Sequence, residues 1–308
     1  MNRFGCSAIA LLISSSCFSQ AEVTEPPLLS VADTTLIEAE PDHNLGGVPF
    51  FNAGTAGPGG KRNRGLFRFE VSSIPGGAKI KSAILKLEVT QEPQAGPIPS
   101  FFSLHRLLRS WGEGEKIPTS SPGLGLPATQ NEATWNDRFA LTTNAWRSPG
   151  AANDFAAVVS YSQYIYGVDS SPYFFPHYPE TAPQLTGDVQ FWLDHPGENF
   201  GWLLKTESES VQGTARRFGS RESDFAPELI VEFIRPPKIV NWKIVSNQFQ
   251  FSFFADVDQS YAIQFCPALS NSNNWLTLTN IAPLTETNMV VVRDSLSATQ
   301  RFYRIALP

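Results

Sequence analysis

The sequence predicts an all-β protein built as a sandwich, and three observations predict it. Glycine and proline are frequent, 22 and 24 in 308 residues, while methionine occurs twice. Short runs of alternating apolar residues recur between these turn formers, and only one segment carries a helical period. With 42% hydrophobic residues the chain can bury a sizeable core, which excludes a disordered chain and leaves room for two domains.

Residues 1–21 read as an export signal. Arg3 supplies a positive charge, "FGCSAIALLISSSCF" is a short apolar core, and "SQA" ends on small residues, so cleavage is expected after Ala21. The run is too short and too serine-rich to span a bilayer. Cys17 offers an alternative, lipid anchoring, although Ser14 stands where that pattern wants a large aliphatic residue. Cleavage after Ala21 removes Cys6 and Cys17 and leaves Cys266 alone, so no intrachain disulfide is expected. It also removes Arg3, leaving 22 basic and 29 acidic residues and a net charge of −7. No basic face dominates, so nucleic acid is not an expected partner.

The first domain is expected over 22–234. "LFRFEV" sets Leu66, Arg68 and Glu70 against Phe67, Phe69 and Val71, and "SSIPGG" turns the chain into "AKIKSAILKLEV". "FFSLHRLL", "AVVSYSQYIY", "NFGWLLKTE" and "ELIVEF" continue the series at sandwich spacing. In "LTGDVQFWLDHPG", Leu185, Val189, Trp192 and Leu193 share one helical face, with Thr186 as the expected N-cap and Pro196-Gly197 as the stop. "RPPK", 235–238, reads as a linker, because two prolines cannot continue a ladder. Residues 239–308 then form a small β-sandwich: "QFQFSFFA" places Phe249, Phe251 and Phe253 on one face, and Trp275 opens a strand as a core residue.

Catalytic signals are sparse. His43, His105, His177 and His195 lie in unrelated segments, and no nucleophile elbow, zinc helix or paired-cysteine motif occurs. Tyr161, Tyr164, Tyr166, Tyr173 and Tyr178 gather near His177, a composition that suits proton abstraction beside a carboxylate. Strand alternation favours edge packing for this stretch, with sugar stacking by Tyr173 and Tyr178 as the second reading. Asp33, Glu38, Glu40 and Asp42 suggest a structural calcium, but no EF-hand spacing supports it. No cofactor and no metal ligand are assigned.

Several of these stretches together resemble the DNRLRE-domain proteins, carbohydrate-binding module family 96. They are "DTTLIEAEPDHNLGG", "KRNRGLFRFEVSSIPGGAKIKSAILKLEV", "LHRLLRSWGEG", "EATWNDRF", "DVQFWLDHPGENFGWLLK" and "RFGSRE…PELIVEF", spread over residues 31–234. The resemblance implies a secreted, non-catalytic jelly-roll β-sandwich that binds polysaccharide, acidic ones such as alginate included. The literal string DNRLRE is absent, and "PDHNLGG" places His43 where a small polar residue is common. The C-terminal stretch is similar to a small terminal β-domain of secreted bacterial proteins.

The basic residues carry the site expectation. "KRNR" (61–64) precedes one strand and Arg216-Arg217 precede another, so Lys61, Arg62, Arg216 and Arg217 are expected to form a patch for uronate carboxylates. Internal ion pairing is the competing reading. Arg68, Arg221 and Glu222 are assigned a structural role, with Glu222 expected to pair with Arg68. Two other functions stay open: a matrix or cell-surface protein without sugar specificity, and a polysaccharide lyase.

Overall fold

The computed structural model describes residues 22–24, 26–56, 59–169, 171–178, 181–267, 275–295 and 301–307. The export signal with Cys6 and Cys17 lies outside these. The described chain divides into two compact units, Ala21–Arg235 and Pro236–Pro308, parting at the proline pair.

The larger unit is built from β1 (Leu28–Ile37), β2 (Phe50–Thr55), β3 (Arg62–Phe69), β4 (Lys79–Leu87), β5 (Val89–Gln91), β6 (Ser100–Arg106), β7 (Tyr161–Ile165), β8 (Tyr173–Phe175), α1 (Pro183–Asp194), β9 (Trp202–Thr206), β10 (Arg216–Gly219) and β11 (Glu228–Ile234). Neighbours run β7-β6-β9-β3-β1-β11-β4-β8, and β10 bridges β2 and β5. Strand β1 is shared, pairing β3 from Ser30 to Ile37 and β11 at Leu28 and Leu29. The result is an all-β sandwich of the jelly-roll kind.

Side chains alternate across each strand, so one face of every strand points between the layers. Phe67 and Phe69 of β3, Phe102 of β6 and Trp202 of β9 meet Leu85 of β4, Phe218 of β10 and Val231 of β11, all fully buried. Phe51 stacks on Phe218 at 5.5 Å between ring centroids. Its ring also explains Gly65, where an added Cβ would lie 2.5 Å from a Phe51 ring carbon.

Strand β3 departs from the expected half-buried alternation. Leu66, which alternation sets on the same face as Arg68 and Glu70, is fully buried. The cause is a second apolar cluster on the outer face, where Trp111, Trp135 and Trp146 from the long connection after β6 cover Leu36, Leu66 and Leu203. Two of the indole N–H groups are placed by hydrogen bonds: Trp111 Nε1 donates to Phe200 O (2.9 Å) and Trp146 Nε1 to Thr134 O (2.9 Å).

Helix α1 starts earlier than expected. Its N-cap is Ala182, not Thr186, and Pro183 begins the first turn, where a fixed φ and a missing N–H are harmless. Leu185, Val189, Trp192 and Leu193 face inward as the period requires. Asp188 is buried beside them, accepting from Ser160 Oγ (2.5 Å) and Trp202 Nε1 (2.9 Å), with Arg106 Nε 3.2 Å away.

The smaller unit holds β12 (Val240–Val245), β13 (Gln248–Ala255), β14 (Tyr261–Cys266), β15 (Leu276–Ile281), β16 (Asn288–Ser295) and β17 (Phe302–Ala306). They form two three-stranded sheets, β12-β13-β16 and β15-β14-β17. Phe251, Phe253, Tyr261, Ile263, Val292 and Ile305 make its core, and Cys266 is a buried free thiol. Trp275 is not core as expected. It is half-buried under the Arg304 guanidinium, 4.4 Å from the ring centroid, and the adjoining Leu276 is exposed.

Candidate functional site: the Arg217 cleft and the Arg221 cluster

The two basic strand starts do lie near each other. Strand β2 pairs β3 at Thr55–Arg62 and β10 at Ala53–Arg216, so β3 and β10 both begin at the same end of β2. The side chains, however, are spent on different partners.

Arg216 is not a ligand residue of an exposed patch; it is 1% exposed. Its guanidinium donates to the carbonyls of Gly213, Thr214 and Ala215 through Nη1 and to Ile98 (3.0 Å) and Tyr166 (2.6 Å) through Nη2. Burial pushes its pKa down, and Nε is buried without a partner. A planar fork with five donors suits this task, since it ties three separate segments through backbone oxygens alone.

Arg62 is also committed. It chelates Glu38 through Nε (3.0 Å) and Nη2 (2.5 Å), and its backbone N–H donates to the same carboxylate. That hydrogen bonding holds the Glu38 pKa at about 2. Arg64 pairs with Glu209 in the same manner, at 2.7 and 2.8 Å. Lys61 stays in solvent.

Arg217 is the arginine among the four whose guanidinium meets, among the described residues, neither a carboxylate nor a backbone carbonyl. It stands opposite Asn52 of β2 and Gln91 of β5, donates to the Gln91 side chain, and lays its guanidinium 4.0 Å over the Phe50 ring. Among the described residues no carboxylate pairs with it, and burial pushes its pKa down. It lines an open cleft of about 430 Å³ with Phe50, Thr90, Gln91, Glu222 and Asp224. A second cleft of about 200 Å³ shares Gln91 and Arg217 and continues to Asn52, Glu92 and Arg216.

Next to the first cleft lies a cluster of three carboxylates and one arginine. Glu222 pairs with Arg221 at 2.9 Å, not with Arg68. Strand β10 ends at Gly219, so Arg221 and Glu222 sit in the turn that follows it and do not extend the strand. Arg221 Nε donates to Glu113 Oε1 (2.6 Å) and its backbone N–H donates to Asp33 Oδ2 (2.8 Å). Asp33 N–H closes the ring on Glu113 Oε1 (2.8 Å). Burial pushes the Asp33 carboxyl up to about 8 and raises that of Glu113 as well.

Asp33, Glu113 and Glu222 each offer an oxygen within 4.8 Å of the others. Arg221 already supplies the positive charge among them, which makes the cluster a clasp joining β1, the Trp111–Glu113 segment and the β10–β11 turn. The four acidic residues singled out by sequence do not assemble: Glu38 serves Arg62, Glu40 lies 4.0 Å from His43, and Asp42 accepts from Asn136 (2.8 Å).

Tyr173 and Tyr178 part company. The Tyr173 hydroxyl is used internally, accepting from the N–H groups of Tyr166 (3.2 Å) and Gly167 (3.3 Å) and donating to Gly167 O (3.0 Å). Tyr178 is exposed, with His177 edge-on at 4.7 Å. Glu113, Phe50 and Gln91 were not singled out by sequence. Glu113 carried only the weak cue of following a tryptophan, and the other two matter through cross-strand register, which no local pattern encodes.

Neither a family model nor a curated protein matches this chain. Among solved structures, a β-1,2-glucanase from Parabacteroides distasonis is similar at 11% identity and a TM-score of 0.19, covering 93% of this chain and 33% of that one. The chain spans about a third of that protein, and a similarity of this size carries no argument about activity.

Proposed function

We propose that the larger unit is a secreted, non-catalytic polysaccharide-binding module that takes an acidic glycan in the Arg217 cleft. One observation carries the reading: the Arg217 guanidinium lies over the Phe50 ring, without an acidic partner among the described residues, on the wall of an open cleft. A guanidinium fork suits a uronate carboxylate, and Thr90, Gln91 and Asp224 line the same cleft with groups that match sugar hydroxyls. Glu222 and Asp224 face the cleft too, and Glu222 shares the Arg221 charge with Glu113. The export-signal pattern of residues 1–21 and the resemblance to carbohydrate-binding module family 96 support the same reading.

Affinity electrophoresis in alginate gels tests it. Wild type is retarded, soluble alginate competes, and retardation falls steeply with salt, because an ion pair at an open cleft is screened within about 8 Å at physiological ionic strength. Arg217→Ala loses the retardation with its melting temperature unchanged. Equal retardation of the two proteins overturns the assignment, and association that alginate does not compete favours a matrix protein without sugar specificity.

A further inference from the structure

Strands β6 and β7, with the residue that follows β7, carry a row of three aromatic rings that none of the contacts above explains. Phe101 of β6 stands directly opposite Tyr164 of β7, with ring centroids 4.9 Å apart, and Tyr164 meets Tyr166 at another 4.9 Å. Phe101 is 49% exposed and Tyr166 63% exposed. Rings in a core bury such surface; here it stays open to solvent.

The segment that carries Tyr166 is held firmly. Arg216 grips Tyr166 O, the Tyr173 hydroxyl grips the N–H groups of Tyr166 and Gly167, and Glu92 Oε2 accepts from Val168 N–H at 2.7 Å. Two residues that the sequence offered as ligand contacts, Arg216 and Tyr173, thus fix the backbone under an exposed ring. A ring fixed in advance loses little conformational freedom when a ligand covers it.

The same residues connect the row to the cleft. Glu92 and Arg216 line the second, 200 Å³ cleft, which shares Gln91 and Arg217 with the first. The rim of the second cleft is thus tied to the backbone under the ring row, Arg216 Nη2 donating to Tyr166 O and Glu92 Oε2 accepting from Val168 N–H. Polar groups border the row, where Ser162 Oγ donates to Glu207 Oε1 at 2.5 Å. Ring faces next to such groups match a pyranose, which offers C–H patches on its faces and hydroxyls at its rim.

We infer that Phe101, Tyr164 and Tyr166 form a remote subsite of this module, stacking on sugar rings of the same chain whose carboxylate lies at Arg217. The inference rests on the glycan-binding reading and adds to it that the module binds along a chain and prefers long ones.

Titration calorimetry with short alginate oligomers and with long alginate chains separates the two ideas, using wild type, Arg217→Ala and Tyr164→Ala/Tyr166→Ala. Wild type binds long chains more tightly than short ones. The tyrosine variant loses about tenfold on long chains, the size of one good aromatic contact, and keeps its affinity for short ones, whereas Arg217→Ala weakens both. Tyr166→Ala alone replaces the double variant if the latter melts earlier. Wild-type affinities for both lengths in the tyrosine variant overturn the remote subsite and leave the Arg217 reading standing. Equal losses on short and long chains overturn it as well, since the rings then belong to the primary site. No binding by wild type at either length overturns the glycan-binding reading and the subsite with it.

Discussion

Arg221 and Asp33 meet backbone to side chain: the Arg221 N–H donates to Asp33 Oδ2 at 2.8 Å while the Arg221 guanidinium reaches past it to Glu113. The buried member of this group is Asp33, at 1% exposure, and the arginine side chain is 41% exposed. Solvent screens the arginine's ion pairs, so their worth is well below that of a fully buried pair. Replacing Arg221 by alanine is expected to cost about 1 to 2 kcal/mol in urea unfolding. Glu222→Ala is expected to cost under about 1 kcal/mol, because it removes one screened pair and also relieves carboxylate crowding. A larger cost for Glu222 than for Arg221 would contradict the arrangement.

Asp33 and Glu38 give the stability curve two opposite slopes. The folded Asp33 carboxyl, pushed up to about 8, binds its proton more tightly than the unfolded one, at about 3.9. Its contribution is therefore full below about pH 4 and is lost as pH rises towards 8, by at most about 1.4 kcal/mol per pH unit. Glu38, held at about 2, contributes above about pH 4.5 and loses that as pH falls towards 2. Melting temperatures across this range should lose their alkaline slope in Asp33→Asn and part of their acid slope in Glu38→Gln. Parallel curves for wild type and Asp33→Asn would refute the burial argument.

Arg216→Lys separates a fork from a charge. Five carbonyl contacts from one planar group cannot be remade by an ammonium with three donors. The expected loss is about 2 to 4 kcal/mol, the scale of a few buried acceptors left unmet. Chemical denaturation measures it, and a change under about 1 kcal/mol would mean that the contacts contribute little.

Asp188→Ala probes the seat of α1. The carboxylate is 1% exposed and serves Ser160, Trp202 and Arg106 together. Its removal strands Arg106 near the core and is expected to cost about 3 to 5 kcal/mol, read from the unfolding midpoint by tryptophan fluorescence. Asp188→Asn should recover part of this, since an amide oxygen still accepts from Trp202.

Patterns that repeat along the chain were legible in the sequence. Alternation in "LFRFEV", "QFQFSFFA" and "ELIVEF", the helical face of Leu185, Val189, Trp192 and Leu193, and the break at the two prolines all follow from local geometry, and they were enough for an all-β sandwich in two parts. The sequence also marked Arg217, Arg221 and Glu222 as charged and worth explaining. Only the tertiary structure decided what each charge does. Arg216 and Arg217 are neighbours, yet alternation along β10 sends one into the protein onto backbone carbonyls and leaves the other over Phe50 at a cleft. Glu113 reaches Asp33 across 80 residues, and Leu66 is buried by tryptophans from a distant connection. Hydrophobic period is a local property that a strand displays alone; an ion pair is chosen by strand register and by what covers the face, and both are set only when remote segments meet.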